Sequence, residues 1–338
     1  MSPVERDLPT LSGVLLVDKP PGPTSHDVVD ILRRLSGLDR VGHGGTLDPM
    51  ASGLLPIFLG DATKMSGFLM AHDKTYDFDL TLGTSTDTHD AEGTVTSTRP
   101  VPVGISPDRI EEVLSKFRGE LFQVPPMYSA LKKGGVPLYR LARKGVSVER
   151  DPRRVTLHSL QATGFDGRVL GLSAHCSKGT YVRVLGHEIG EALGCGGHIS
   201  RLRRIALGTF RIRDAVSLAA LQASFDRTRL GEALLPPGAV FAHLPGLRLL
   251  SRVQSRLLKG GTIPGTWVFR REGLFHAKDT IRILSQSGNL LGLAHALFDA
   301  EDGRDVPVGI PVAMVDLLFR PDSFGMDGRT VERVEEGP

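Results

Sequence analysis

The sequence predicts an α+β fold built on a mixed, mainly antiparallel sheet. Two observations carry this reading: strand-like runs alternate apolar with polar residues, and helical spacings fall among them in no regular strand–helix order. Alternation marks a strand with one wet face, as antiparallel sheets have, whereas the parallel sheets of doubly wound folds are covered on both faces. A doubly wound nucleotide-binding fold is therefore disfavoured.

Taken in order, a strand from Gly13 to Val17 runs into Lys19-Pro20-Pro21-Gly22, and Thr24 or Ser25 then caps a helix whose apolar face is Val28, Leu32 and Leu35. Gly42-His43-Gly44-Gly45-Thr46-Leu47-Asp48-Pro49 carries too many glycines for a regular element and reads as a shaped loop, followed by a mostly apolar run to Gly60. Tyr76, Phe78, Leu80 and Leu82 alternate with Asp77, Asp79 and Thr81, a half-buried strand, and Leu170, Leu172, Ala174 and Cys176 repeat the pattern. After Gly179-Thr180 the spacing of Val182, Leu185, Ile189 and Leu193 turns helical and Gly194 stops it, which places Arg183 in a first helical turn. Leu234-Leu235-Pro236-Pro237-Gly238 is a candidate boundary. Beyond it, Thr266 to Phe275, Thr280 to Leu284 and Leu290 to Ala294 read as short strands of a small β-rich domain. Residues 1–10 and 321–338 read as flexible tails.

Composition narrows the function. The 338 residues, 40% hydrophobic and 23% charged, allow one large domain plus a small one and exclude a chain disordered throughout. Only two cysteines occur, Cys176 and Cys195, and not as a C-x-x-C pair, so neither a disulfide framework nor a cysteine zinc site is expected, and a reducing cytoplasm fits. The first ten residues do not read as a signal peptide. The longest apolar stretch, Leu54 to Leu59, is interrupted by Pro56 and falls far short of the roughly 20 residues of a membrane span. The net charge of +3 is modest, but residues 124–154 alone carry +6, leaving −3 on the rest. A basic projection of this kind either is a solvated surface or grips a polyanion through its phosphates.

The candidate chemical groups are weak one at a time. Asp48-Pro49 is most simply a turn or helix cap, yet Gly42, Gly44, Gly45 and Gly53 leave room for a ligand on either side of its carboxylate, which could act as a nucleophile. Tyr76 reads as core edge. Arg183 sits where the helix dipole disfavours a cation, which suggests an anionic partner. His43 stands near no second ligand at zinc-binding spacing, H-E-x-x-H and G-x-x-x-x-G-K-[ST] are missing, and neither metal nor nucleotide chemistry is expected.

Read together, these segments resemble one family. Gly13-Val14-Leu15-Leu16-Val17-Asp18-Lys19-Pro20, Gly22-x-Thr24-Ser25, Gly42-His43-x-Gly45-Thr46-Leu47-Asp48-Pro49-x-Ala51-x-Gly53 and Lys74-x-Tyr76 resemble the opening motifs of the bacterial TruB-type pseudouridine synthases. Val124-Pro125-Pro126-x-Tyr128-Ser129-Ala130-x-Lys132, with Tyr139, Ala142-Arg143 and Gly145, resembles the family's thumb. Cys176-Ser177-Lys178-Gly179-Thr180-Tyr181-x-Arg183 and Leu202-Arg203-Arg204 resemble its remaining site motifs.

The resemblance implies a catalytic domain over 11–235 with a thumb at about 124–154, and a PUA-like RNA-binding domain over 245–320. It implies isomerisation of the T-loop uridine of tRNA, position 55, to pseudouridine after base flipping, with no cofactor or metal, by a cytoplasmic monomer with no protein partner. Asp48 would be the nucleophile and Arg183 its partner. Tyr76 would stack on the base and take the proton from its C5. Lys19, Tyr181 and Leu202 would line the pocket, His43 would fill the gap left by the flipped base, and Lys132 and Arg143 would meet the T-arm phosphates. Competing readings are a tRNA-folding chaperone without catalysis, a guide-dependent synthase of the related eukaryotic and archaeal branch, and a glycoside hydrolase. The last needs a second carboxylate at about 5–9 Å, for which Asp18 and Asp61 are the first candidates.

Overall fold

The computed structural model describes residues 11–319 apart from 258 and 302–305. The expected tails lie outside the described residues.

The chain opens on strand β1 (Gly13–Lys19) and helix α1 (Ser25–Ser36). Thr24 caps α1 in a capping box: its hydroxyl accepts from the Asp27 amide, and the Asp27 carboxylate accepts from the Thr24 amide. Strands β2 (Val41–His43), β3 (Ser52–Leu59), β4 (Lys74–Leu82), β5 (Thr84–Thr86) and β6 (Val95–Thr98) follow. Next come helix α2 (Pro107–Ser115), β7 (Gly119–Gln123), β8 (Arg153–Phe165), β9 (Val169–Cys176), helix α3 (Val182–Ala192), β10 (Gly197–Leu207), β11 (Phe210–Arg211) and β12 (Val216–Ser217). Ten of these strands build one sheet in the order β12–β1–β3–β10–β4–β9–β8–β7, with β2 on β3 and β11 on β10, while β5 pairs with β6. The pairs β1/β12 and β3/β10 are parallel and the others antiparallel, so the sheet is mixed and mainly antiparallel, as the alternation predicts.

A second, six-stranded sheet consists of β13 (Gly246–Leu249), β14 (Thr262–Pro264), β15 (Val268–Glu272), β16 (Thr280–Leu284), β17 (Leu290–Ala296) and β18 (Pro311–Leu318), in the order β14–β18–β17–β16–β13–β15. This is the β-rich C-terminal domain. Among the described residues no helix is long and apolar enough to cross a membrane.

Two local expectations change. Gly42 and His43 are not loop but part of β2, paired with Phe58 and Ile57, because an edge strand tolerates glycine where its outer side needs no packing partner. The boundary at Leu234–Gly238 is not a free linker: Leu235 exchanges both backbone hydrogen bonds with Val14, each at 2.9 Å, and Pro237–Val240 forms a helical turn.

The reason is two-sided burial. Leu15, Val17, Leu55 and Ile57 face a core shared with α1, while Val14, Leu16, Leu54 and Phe58 face a second core shared with Phe241, Leu284, Leu293 and Phe319. β1 and β3 are therefore a common wall between the catalytic sheet and the C-terminal domain. That explains why the run before Gly60 is continuously apolar. Each large side chain buried there contributes about 1.5–3 kcal/mol.

The same wall aims the site. In register, Tyr76 on β4 stands between Arg204 on β10 and Ala174 on β9, and Ser52 at the start of β3 pairs with Arg203. Gly53 makes the crossing possible: its φ is 102°, and a Cβ there would lie 2.3 Å from the Arg204 carbonyl oxygen. Gly53→Ala is expected to lose about 2–4 kcal/mol, through left-handed strain plus a backbone clash, measured as a lower urea midpoint at an unchanged slope.

Candidate active site

Asp48 sits on the connection between β2 and β3, and that connection is pinned on both sides of it. The Ser25 hydroxyl accepts from the Leu47 amide (2.8 Å) and donates to the Leu47 carbonyl (3.1 Å). The Pro49 carbonyl accepts from the Gly22 amide (2.8 Å) and from Lys19 Nζ (3.2 Å). Arg204, itself buried, donates to the Gly45 carbonyl (3.1 Å) and the Leu54 carbonyl (2.7 Å). The glycine-rich segment is thus a rigid cradle, and the Asp48 side chain stays 34% exposed at its centre.

Arg183, the second residue of α3, grips that carboxylate with Nε at 2.8 Å from Oδ2 and Nη2 at 3.2 Å from Oδ1. Its remaining donors are also used. Nη2 donates to the Tyr128 carbonyl (2.8 Å), and Nη1 donates to the Thr88 carbonyl (3.0 Å) and faces Asp90 Oδ2 at 3.4 Å. Three hydrogen bonds and two further ion-pair contacts therefore surround the fork, which makes a guanidinium with only 5% of its side chain exposed tolerable.

Asp90 is the functional residue that sequence reasoning missed. Its side chain is 5% exposed; its Oδ1 accepts from the Thr88 hydroxyl (2.5 Å) and the Glu92 amide (3.0 Å), leaving Oδ2 toward Arg183. The available signal was the turn-rich stretch Thr86-Asp87-Thr88-His89-Asp90-Ala91-Glu92-Gly93 after the Tyr76 strand, which offers several side chains able to bond local backbone.

Burial pushes the Asp48 carboxyl above the ordinary carboxylate range and the nearby Asp90 charge adds to this, while Arg183 and Lys19 pull it down. Its charge reflects a contest between desolvation and the guanidinium.

Tyr76 lies against this centre, buried, with its hydroxyl pushed above the usual phenol value by burial and drawn back by Arg204. A protonated phenol suits the expected stacking role and weighs against an ionised tyrosinate waiting as base. Leu202, on β10 opposite Phe78, belongs to the same buried cluster as Tyr76. Tyr181 caps the start of α3, its amide accepted by Gln123 Oε1 (3.0 Å) and its phenol pushed up by burial.

Lys19 is fully buried, and Nζ donates to the Pro20 (2.9 Å), Pro23 (2.7 Å) and Pro49 (3.2 Å) carbonyls, so its three hydrogens hold the loops beside Asp48. Burial brings its ammonium down to about 8. His43, half-buried on β2, is pushed below the usual imidazole value by burial first and Arg204 second, and its buried Nδ1 has no hydrogen-bond partner. It stands neutral at the rim.

The basic segment leaves the sheet between β7 and β8, which pair directly below it with Gln123 opposite Arg153. It folds as a small hairpin, Lys132–Lys133 against Val136–Pro137, and a short helix, Leu138–Ala142. Lys132 and Arg143 are exposed, with Arg143 stacked 5.6 Å above the Tyr139 ring. The Tyr128 carbonyl at its base is the one that Arg183 holds.

This geometry can be set beside known proteins. The TruB family pseudouridylate synthase N-terminal domain matches residues 33–182, and the tRNA pseudouridylate synthase B C-terminal domain matches residues 183–241. The tRNA pseudouridine synthase B of Azoarcus sp. (strain BH72) is 49% identical over 259 residues, covering 76% of this chain and 85% of that protein. The chain belongs to the TruB family of pseudouridine synthases. The tRNA pseudouridine synthase B of Dechloromonas aromatica (strain RCB) is 50% identical, covering 70% of this chain and 78% of its own length. Among solved structures, one from a Cbf5–Nop10–Gar1 complex superposes with a TM-score of 0.71 at 26% identity, covering 93% of this chain and 87% of that one. That structure thus shares the fold, but sequence identity is far higher to the two tRNA pseudouridine synthase B relatives.

Asp90→Asn tests the contest over Asp48. Removing that negative charge removes a cause that raises the Asp48 pKa, so with Asp48 acting in its ionised form, as the sequence leads one to expect, the acid limb of the kcat/KM profile moves to lower pH. Loss of one anchor of Arg183 lowers the plateau by roughly 10²-fold. An acid limb that moves upward would mean that Asp90 acts on another group.

Proposed function

We propose that this chain converts the uridine at position 55, in the T-loop of tRNA, to pseudouridine, with Asp48 as nucleophile. The observation that carries the reading is a carboxylate left 34% exposed and gripped by a buried arginine. Such a carboxylate is oriented by two charge-assisted bonds, and its ionised form, which attack requires, is the one that Arg183 favours. The substrate base detaches from the ribose through nitrogen and rejoins through C5, the C5 hydrogen passing to solvent.

The other roles follow from placement. Tyr76 stacks on the base, with Leu202 in the apolar layer behind it and Tyr181 at the helix start beside Arg183. Flipping the target out of the folded T-loop costs a few kcal/mol, which neutral His43 at the rim offsets by occupying the gap. Lys132, Arg143 and Lys144, exposed on the projection, meet backbone phosphates of the T-arm, and the C-terminal sheet supplies a second RNA-contacting surface. The two cysteines are buried and unpaired, which agrees with a reducing cytoplasm, and we extend the reading to a monomer.

Tritium release from a tRNA transcript labelled at uridine C5, with no metal or nucleotide added, is the direct test. The wild type is expected to release one tritium per tRNA, and Asp48→Asn to lose turnover by more than about 10⁴-fold while still binding tRNA. Binding without release by the wild type would favour a chaperone. Neutralising Lys132, Arg143 and Lys144 together is expected to reduce the slope of log K against log salt by about 2–3, and an unchanged slope would mean that the projection touches no phosphate.

A further inference from the structure

We propose that Asp73, His158 and His175 form a binding site for a divalent transition-metal ion of the zinc class. The site is separate from the Asp48 centre and lies on the opposite face of the sheet.

The three side chains come from three adjacent parts of the sheet. Asp73 immediately precedes β4, His158 is on β8 and His175 is on β9 between them. On β9, His175 points away from the buried face that carries Ala174 and Cys176. The β8–β9 ladder has an irregularity here: Leu157 pairs with Cys176 and Ser159 with His175. Two residues of β8 thus oppose one of β9, as in a β-bulge, which brings the His158 ring to 4.8 Å from the His175 ring.

One ligand atom from each residue lies within 4.8 Å of the other two, and His158 Nε2 is 3.0 Å from Asp73 Oδ2. Ligands at 2.0–2.2 Å from a tetrahedral ion stand about 3.3–3.6 Å apart, so one contact is already near that spacing and a small rotation of half-exposed side chains closes the others.

The polar accounting points the same way. Asp73 and His158 have each other as side-chain partners, and the His175 imidazole makes no hydrogen bond among the described residues. The neighbouring Lys74 is turned away, with Nζ on the Met70 (2.9 Å) and His72 (2.5 Å) carbonyls. Two imidazoles and one carboxylate suit zinc, nickel or copper and not the oxygen-seeking calcium or magnesium. With Asp73 and His158 side chains 43% and 40% exposed, water can complete the coordination.

The sequence could not show this, because residues 73, 158 and 175 have no local ligand spacing. An ion here joins the strand on which the thumb returns to the loop that leads into the Tyr76 strand. Its binding would therefore stiffen the thumb-bearing edge of the sheet.

The test uses the untagged full chain, freed of metal with EDTA and titrated with zinc by calorimetry and with cobalt(II) by visible absorption. Expected are one ion per chain and a zinc-dependent rise in melting temperature. His158→Gln and Asp73→Asn, each melting like the wild type in EDTA, should weaken binding by about 10-fold or more and abolish the rise. No stoichiometric ion in the wild type, or binding that survives both substitutions unchanged, overturns the proposal.

Discussion

The active centre depends on one buried guanidinium. Arg183 touches the nucleophile loop through Asp48, the segment after β5 through Thr88 and Asp90, and the base of the thumb through Tyr128. These three pieces are far apart in sequence. What joins them is the geometry of a planar fork with five donors, which a lysine at the same place could not reproduce. Because these contacts compensate a buried charge, removing any acceptor leaves part of that cation unpaired, so the three pieces are coupled even where they do not touch.

This coupling explains why the site is both costly and serviceable. Burial raises the Asp48 pKa and the arginine lowers it, so neither effect alone sets the charge. The fold supports the arrangement from outside the cleft. Lys19, Ser25 and Arg204 clamp the backbone on either side of Asp48, and two of these clamps are themselves buried cations holding carbonyls. The carboxylate can then be left open to substrate without the loop relaxing around it.

Much of this was legible in the sequence where a local rule applied. The β4 strand followed from strict alternation, α1 from its cap, and the position of Arg183 from the change to helical period after Thr180. Its awkward place at a helix start pointed to an anionic partner, and Asp48 is one of two. Asp90 was not legible, because nothing local separates a buried ion-paired aspartate from a turn aspartate in a run of turn residues. The burial of Lys19 was not legible for a related reason: it depends on three prolyl carbonyls, one of them thirty residues away. The packed boundary at Leu235 escaped notice because a Pro-Pro-Gly sequence describes backbone stiffness and not what lies beneath it.

The two carboxylates around Arg183 also separate this site from that of a glycoside hydrolase. Such an enzyme sets a neutral, proton-donating carboxyl across the bond from the first carboxylate. Asp90 cannot serve, since one oxygen is taken by Thr88 and Glu92 and the other faces the same arginine, with the side chain almost wholly buried. Asp18 is held by both Nη atoms of Arg203 (3.0 and 2.7 Å), and Asp61 lies 2.8 Å from Arg40 and 3.6 Å from Lys64. Asp48, gripped by Arg183, stands beside an aromatic ring. That arrangement suits a reaction in which the cleaved base is retained and reattached, with no leaving group that must be protonated and released.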